Sequence, residues 1–218
     1  MNNIAAMLAL SCLFFLGSGR LRLSIRMASF QGVLLGILAL VAGGLKPSII
    51  VLAVSSIVLK GILLPWLLRR AMNSTCARRE IEPFVSFSAS VLSGLALLAL
   101  AQWLVNRTEL LTPIFSPVML TSAYFMVFTG LFILVTRKKA ITQTLGFLVM
   151  ENGVYCAGLS LGSELSMLIE LGILLDIFVG IFLMGIMIFH IDSEFEHIDT
   201  DKFNDLSDVI LQTGGEKE

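Results

Sequence analysis

Long apolar runs, cut at intervals by short clusters of arginine and lysine, set the pattern along the chain. The runs with no charge or very little are Met1–Gly19, Met27–Leu45, Pro47–Leu68, Pro83–Asn106, Leu110–Thr136, Ala140–Ser163 and Leu165–Ile191. Each is long enough to cross a hydrocarbon core of about 30 Å as a helix. Apolar and polar residues do not alternate within them at the period of two that a membrane barrel strand needs. A backbone inside lipid must satisfy its polar groups internally, so these runs predict helices. The expected fold is an all-α polytopic membrane protein with about seven transmembrane helices over residues 1–191. The first run has no basic residue at its start and no small-x-small cleavage site before Arg20. It therefore reads as a retained helix rather than a signal peptide.

Composition points the same way. The chain is 56% hydrophobic and 14% charged, with a mean hydropathy of +0.91. Soluble domains run at about 45–50% apolar and about 25% charged. At 218 residues, little chain is left for a soluble catalytic domain. A formal net charge of −1 without a basic face argues against a nucleic-acid partner. Three scattered cysteines are too few for a disulfide-built secreted scaffold.

The basic clusters predict orientation. Arg20, Arg22 and Arg26 fall between the first two runs, Arg69, Arg70, Arg78 and Arg79 after the third, and Arg137, Lys138 and Lys139 after the fifth. The alternate loops hold only Lys46 and Arg107. By the positive-inside rule the arginine-rich loops are cytoplasmic and the N-terminus lies outside. Seven spans then leave residues 192–218 in the cytoplasm, as an acidic tail with nine acids and two lysines. Such a tail is ordinarily a solvated end. The spacing of Phe195, Ile198, Phe203, Leu206 and Ile210 among the acids also allows a short amphipathic contact with a basic partner.

Four ionisable residues interrupt the predicted spans: Lys60, Glu151, Glu170 and Asp176. A charge at the centre of a bilayer costs a few kcal/mol even on lenient insertion scales. At about 1.5 Å of rise per residue, Lys60, Glu151 and Asp176 all fall near mid-membrane, with Glu170 about 9 Å to the outer side of Asp176. One cation and two carboxylates at one level suit a proton relay, in which each group's charge depends on its neighbours. The other reading is a buried ion pair, Lys60 with Glu151 or Asp176, that only fixes helix packing. Gln31 and Asn152 are candidates to line a hydrated path, or to act as interhelical hydrogen-bond glue. Pro65 has no N–H to give, so it frees the Gly61 carbonyl one turn earlier. Gly32-x-x-x-Gly36 and Gly158-x-x-x-Gly162 allow close helix contact.

No cofactor is expected in the chain itself. Both histidines, His190 and His197, lie at or beyond the end of the last span, where no haem pair forms. Cys12, Cys76 and Cys156 have no iron–sulfur or zinc spacing, and no phosphate-binding glycine loop is present.

The sixth run contains Met150-Glu151-Asn152-Gly153, and the seventh carries Glu170-Leu171-Gly172 followed by Asp176. With Lys60-Gly61-Ile62-Leu63-Leu64-Pro65 and Gln31, these segments resemble the hydrogenase-4 component E (HyfE-type) subunit of formate-hydrogenlyase-like, energy-converting [NiFe]-hydrogenases, over roughly residues 20–205. The part from Arg137 to Leu206 is more distantly similar to the K subunit of respiratory complex I and the C subunit of Mrp-type antiporters. In the K subunit a glutamate follows a helix glycine by two positions. Here that position is Leu148, and the carboxylate is Glu151, nearly one turn further on. Asp176 corresponds to the K subunit's next-helix glutamate, with Gly180 four residues later.

The resemblance implies a non-catalytic subunit in a multi-pass inner-membrane complex. It implies antiporter-like membrane subunits, a connector membrane subunit and a cytoplasmic [NiFe]/iron–sulfur arm as partners. Lys60, Glu151, Glu170 and Asp176 would serve proton (or sodium) translocation coupled to redox chemistry elsewhere. Two other classes fit the same residues: a stand-alone ion or small-solute secondary transporter, and a purely structural membrane-arm subunit.

Overall fold

The computed structural model describes residues 1–44, 47–74, 85–108 and 116–161, together with 179, 180 and 185. The described residues are helical, with no strand among them. Helix α1 runs Asn2–Gly17, α2 Leu21–Gly43, α3 Pro47–Ser56, α4 Leu64–Ser74, α5 Phe87–Thr108, α6 Pro117–Thr136 and α7 Ala140–Leu161. Between α3 and α4 the chain does not leave the helix; it widens into a π-helical segment, Ile57–Leu63.

Local chemistry explains several ends. Gly44 closes α2 at a φ of 76°, with its N–H on the Leu40 carbonyl. That left-handed conformation is cheap only without a Cβ. Ser116 caps α6, accepting from the Met119 N–H at 3.4 Å, and Pro117 fills the first helical position. Helix α2 starts earlier than the apolar run does. Arg22 and Arg26 therefore sit on its first turns, exposed, rather than in a loop.

Four stretches are long and apolar enough to cross a membrane: Leu21–Ala42, Ile49–Asn73, Ser88–Arg107 and Pro117–Thr136. The second of them takes in α3, the π segment and α4. Helix α1 has 16 residues and is shorter. Helix α7 matches the four in length, but Gln143, Glu151 and Asn152 lower its hydropathy. The predicted seventh run lies almost wholly outside the described residues. Two exposed tryptophans carry an arginine one turn later: Trp66 under Arg70 at 5.7 Å and Trp103 under Arg107 at 5.4 Å. Tryptophan with a cationic neighbour suits a membrane–water boundary.

Neighbouring helices run up and down. A Cβ on Gly32 would meet the Lys60 backbone, and one on Gly36 the Ala53 carbonyl, so α2 lies antiparallel to α3 and the π segment. Gly153 faces Ala123 and Val127, while Gly146 faces Gly130 and Ile133, which sets α7 antiparallel against α6. Among the described helices this pairing is the most extensive. Gly17 meets Val91, and Gly94 meets Leu16, so α5 runs back along α1. Helices α1, α2, α6 and α7 thus enclose the centre. Helix α5 lies against α1 and α6, and the α3–π–α4 span lies against α2.

Arg137 pins one end of this bundle. It is 2% exposed, although it opens the short connection between α6 and α7. Its guanidinium donates to the Leu16 carbonyl at 3.2 Å, the Ser90 hydroxyl at 3.3 Å and the Val85 carbonyl at 3.4 Å. The last turn of a helix has carbonyls without intrahelical partners, and a cation there also meets the negative end of the dipole. Arg137 therefore ties the end of α1 to the start of α5 and the end of α6.

Candidate functional site

Lys60 sits in the middle of the π segment. The sequence accounts for part of this geometry. Pro65 has no N–H for the Gly61 carbonyl, and Ser29 of α2 supplies the missing donor through its hydroxyl. The Leu64 N–H reaches back to Leu59, five residues rather than four. A π turn inserts a residue into helical register and so redirects the side chains around it. Gly32 lets α2 approach directly, since a Cβ there would come within 2.6 Å of the Lys60 carbonyl carbon.

Across from this segment, the middle of α7 presents Glu151, Asn152, Tyr155 and Cys156, all buried. Lys60 Nζ donates to Glu151 Oε1 in an ion pair whose two side chains are 5% and 3% exposed. The same ammonium lies 5.7 Å from the centroid of the Tyr155 ring. An ammonium over an aromatic face gains electrostatically, and more so when dry.

The other two polar candidates also meet here. Gln31, fully buried on α2, donates to the Ser11 hydroxyl at 2.6 Å and to Cys12 Sγ at 3.7 Å. Its carbonyl accepts from Asn152 Nδ2 at 3.4 Å. Ser11 in turn donates to the Leu8 carbonyl of its own helix. A polar strip therefore runs from α1 through α2 to α7, beside the Lys60–Glu151 pair. Cys12 and Cys156 are buried free thiols flanking it.

Of the six residues singled out in the sequence, Lys60 and Glu151 come into direct contact, and Gln31 and Asn152 bond to each other. Glu170 and Asp176 lie outside the described residues. So do Gly162, Cys76, both histidines and the acidic tail. Among the described residues no group of three or more histidine, cysteine or carboxylate side chains is arranged to hold a metal ion. The structure adds Ser11, Ser29 and Tyr155, which carry no charge and look ordinary in sequence. Their only signal is helical spacing: Tyr155 is one turn from Glu151, and Ser29 is two positions before Gln31.

Chemically, the site is a charged pair in an apolar bundle, joined to a strip of amide and hydroxyl groups. Carboxyl and amino groups are of the kinds that bind and release protons in other settings. They can also hold two helices together. Glutamine and asparagine side chains have both donors and acceptors and serve either role.

These features define a class: an α-helical, membrane-type bundle with a buried ion pair at the middle of its helices. Over 195 residues the chain is 31% identical to the uncharacterized protein Rv0085 of Mycobacterium tuberculosis, an alignment covering 86% of this chain and 87% of that one. The chain belongs to the same family as that protein. No family model and no solved structure matches it.

Proposed function

We propose that the chain is a non-catalytic membrane subunit of a complex I-like, energy-converting hydrogenase of the hydrogenase-4/formate-hydrogenlyase type. In this reading it spans the inner membrane seven times, with the N-terminus outside and the acidic tail in the cytoplasm. The observation that carries the reading is the buried Lys60–Glu151 pair on a π turn. A packing pair works with regular helix geometry; this one sits on an irregular turn, beside further hydrogen-bonding groups. Glu151 and Asp176 carry protons, Lys60 sets the charge balance between them, and Glu170 serves the outer side. Gln31 and Asn152 line the path. Antiporter-like subunits, a connector subunit and a cytoplasmic arm with [NiFe] and iron–sulfur centres complete the complex.

A mild-detergent purification through a tag on this chain tests the assignment, with mass spectrometry of what accompanies it. Co-purification of a [NiFe]-hydrogenase large subunit and antiporter-like proteins supports it. A folded chain that emerges alone overturns it. Within the complex, Glu151→Gln and Asp176→Asn are expected to assemble and to lower proton translocation at least tenfold. Normal pumping by both variants would end the relay reading.

A stand-alone transporter draws on one observation, the interrupted span at the charged site, since transporters build midplane sites on broken helices. The same purification separates the two: a lone chain that moves an ion or solute in proteoliposomes would establish the transporter.

A further inference from the structure

The Lys60–Glu151 pair uses only one carboxylate oxygen. Glu151 Oε1 takes the ammonium, whereas Oε2 is buried and meets no hydrogen-bond partner among the described residues. Two neighbouring polar atoms share that condition, Asn152 Oδ1 and the Tyr155 hydroxyl. Their residues are 3%, 2% and 6% exposed, so bulk water does not reach them. Glu151 and Tyr155 are four residues apart on α7, and Asn152 and Tyr155 three. Side chains at those separations are neighbours on a helix surface, with about 5–6 Å between Cβ atoms. Lys60 gathers the group further, touching Glu151 and lying over the Tyr155 ring.

Buried polar atoms almost always have a partner, either protein or ordered water. Donor and acceptor accounting says which kind of partner fits. A carboxylate oxygen and an amide oxygen only accept, while a phenol both donates and accepts. A single group that serves all three atoms donates to both oxygens and either accepts from or donates to the phenol. An anion fails, because it has no donors for the two oxygens. A metal cation fails too, because the Lys60 ammonium already holds the carboxylate and would repel it. A water molecule meets all the requirements, and buried waters typically make about three such bonds.

We infer that an ordered internal water is held between Glu151 Oε2, Asn152 Oδ1 and the Tyr155 hydroxyl, with Tyr155 as the residue that positions it against the carboxylate. That this water passes the proton of Glu151 rests on the function proposed above; its presence does not.

The test is infrared difference spectroscopy on the full chain, with whatever partners accompany it, in lipid bilayers. Spectra are taken across a pH step, in ordinary and heavy-oxygen water. The expected result is a narrow internal-water O–H band that shifts with the isotope. Tyr155→Phe removes that band and displaces the Glu151 carboxylate band, which Glu151→Gln identifies. Asn152→Leu serves as a second variant should Tyr155→Phe not fold, and it is expected to weaken the same water band. If no isotope-sensitive band appears in the native chain, or if both variants keep it unchanged, the inference is overturned. A Glu151 band that moves without any isotope-sensitive partner also overturns it, by showing a side chain in the water's place. The readout needs neither transport nor a redox arm. A lone chain with the band refutes only the proposed complex, and an intact complex without the band refutes only the water.

Discussion

Two buried cations divide this molecule between them. Arg137 lies where α1, α5 and α6 meet at one end of the bundle, and Lys60 lies at its middle. Both are nearly inaccessible. Arg137 donates to two backbone carbonyls and a serine hydroxyl. None of those acceptors takes up a proton, and the Leu16 carbonyl, in the last turn of α1, would otherwise want a donor. Lys60 faces a carboxylate, on a turn that departs from α-helical register. Burial of a cation is therefore not by itself a sign of function. These contacts differ in kind: Arg137 meets fixed dipoles, which act as a rivet, whereas Lys60 meets a carboxyl group, which is ionisable.

That distinction predicts opposite behaviour on mutation. Lys60→Met strands a buried carboxylate, and breaking a buried pair from one side costs about 3–5 kcal/mol. Adding Glu151→Leu removes the stranded charge and is expected to recover most of that loss, since apolar replacement of a whole buried pair is often neutral. Arg137→Met should destabilise to a comparable degree. Here a second change, Ser90→Ala, should give no rescue, because the Leu16 and Val85 carbonyls still lack the donor. Thermal unfolding of the purified variants in detergent reads both cycles. If Lys60→Met with Glu151→Leu fails to recover, groups beyond the pair depend on its charges.

A smaller effect is expected at the α6–α7 seam, which holds the site's α7 face in place. A Cβ on Gly146 would come 2.8 Å from Ile133 and 2.9 Å from the Gly130 carbonyl. Overpacking of this kind typically costs about 1–3 kcal/mol. Gly146→Leu should lower the melting temperature accordingly. If it also disturbs Glu151 chemistry, the seam and the site are mechanically linked. If it changes stability alone, Arg137 and the seam belong together as scaffold.

How much of this was legible follows from what each residue looks like in a linear chain. Lys60 and Glu151 stand out because each interrupts an apolar run, and the cost of burying a charge makes such interruptions rare. Gln31 and Asn152 stand out for the same reason, more faintly. The long apolar runs foretold the helices themselves, and Gly32-x-x-x-Gly36 foretold the close contact that α2 makes. Pro65 announced the free Gly61 carbonyl, but not that Ser29 of another helix would take it. The π turn itself left no trace, because Ile57, Val58, Leu59, Ile62 and Leu63 are apolar whichever face they occupy. Arg137 looked like any other loop cation: it belongs to the same cluster as Lys138 and Lys139, and only packing distinguishes it. The glycines that knit α6 to α7 are Gly130, Gly146 and Gly153, while the motif visible in sequence was Gly158-x-x-x-Gly162. On α7 the two contacting glycines are seven residues apart, two turns, a spacing that short-motif reading overlooks.

The smallest effect is expected at Gln31, where the comparison can be sharpened most. Gln31 bridges Ser11 and Asn152 and charges neither. If the polar strip is scaffold like Arg137, Gln31→Leu should fall at the low end of the about 1–3 kcal/mol that an orphaned buried partner costs, since it leaves the Asn152 amide without its acceptor, and translocation should stay normal. If the strip belongs with Lys60, the stability change stays equally small while translocation falls. The two outcomes differ in activity and agree in stability, so a melting curve and a pumping assay on one variant assign the strip to one region or the other. The second outcome is expected here. The amide of Asn152 is held by Gln31 on one side, and its residue is the immediate neighbour of Glu151 on the other. Releasing Asn152 therefore loosens the surroundings of Glu151, the group that the proposed relay uses, while the rivet at the far end of the bundle stays in place.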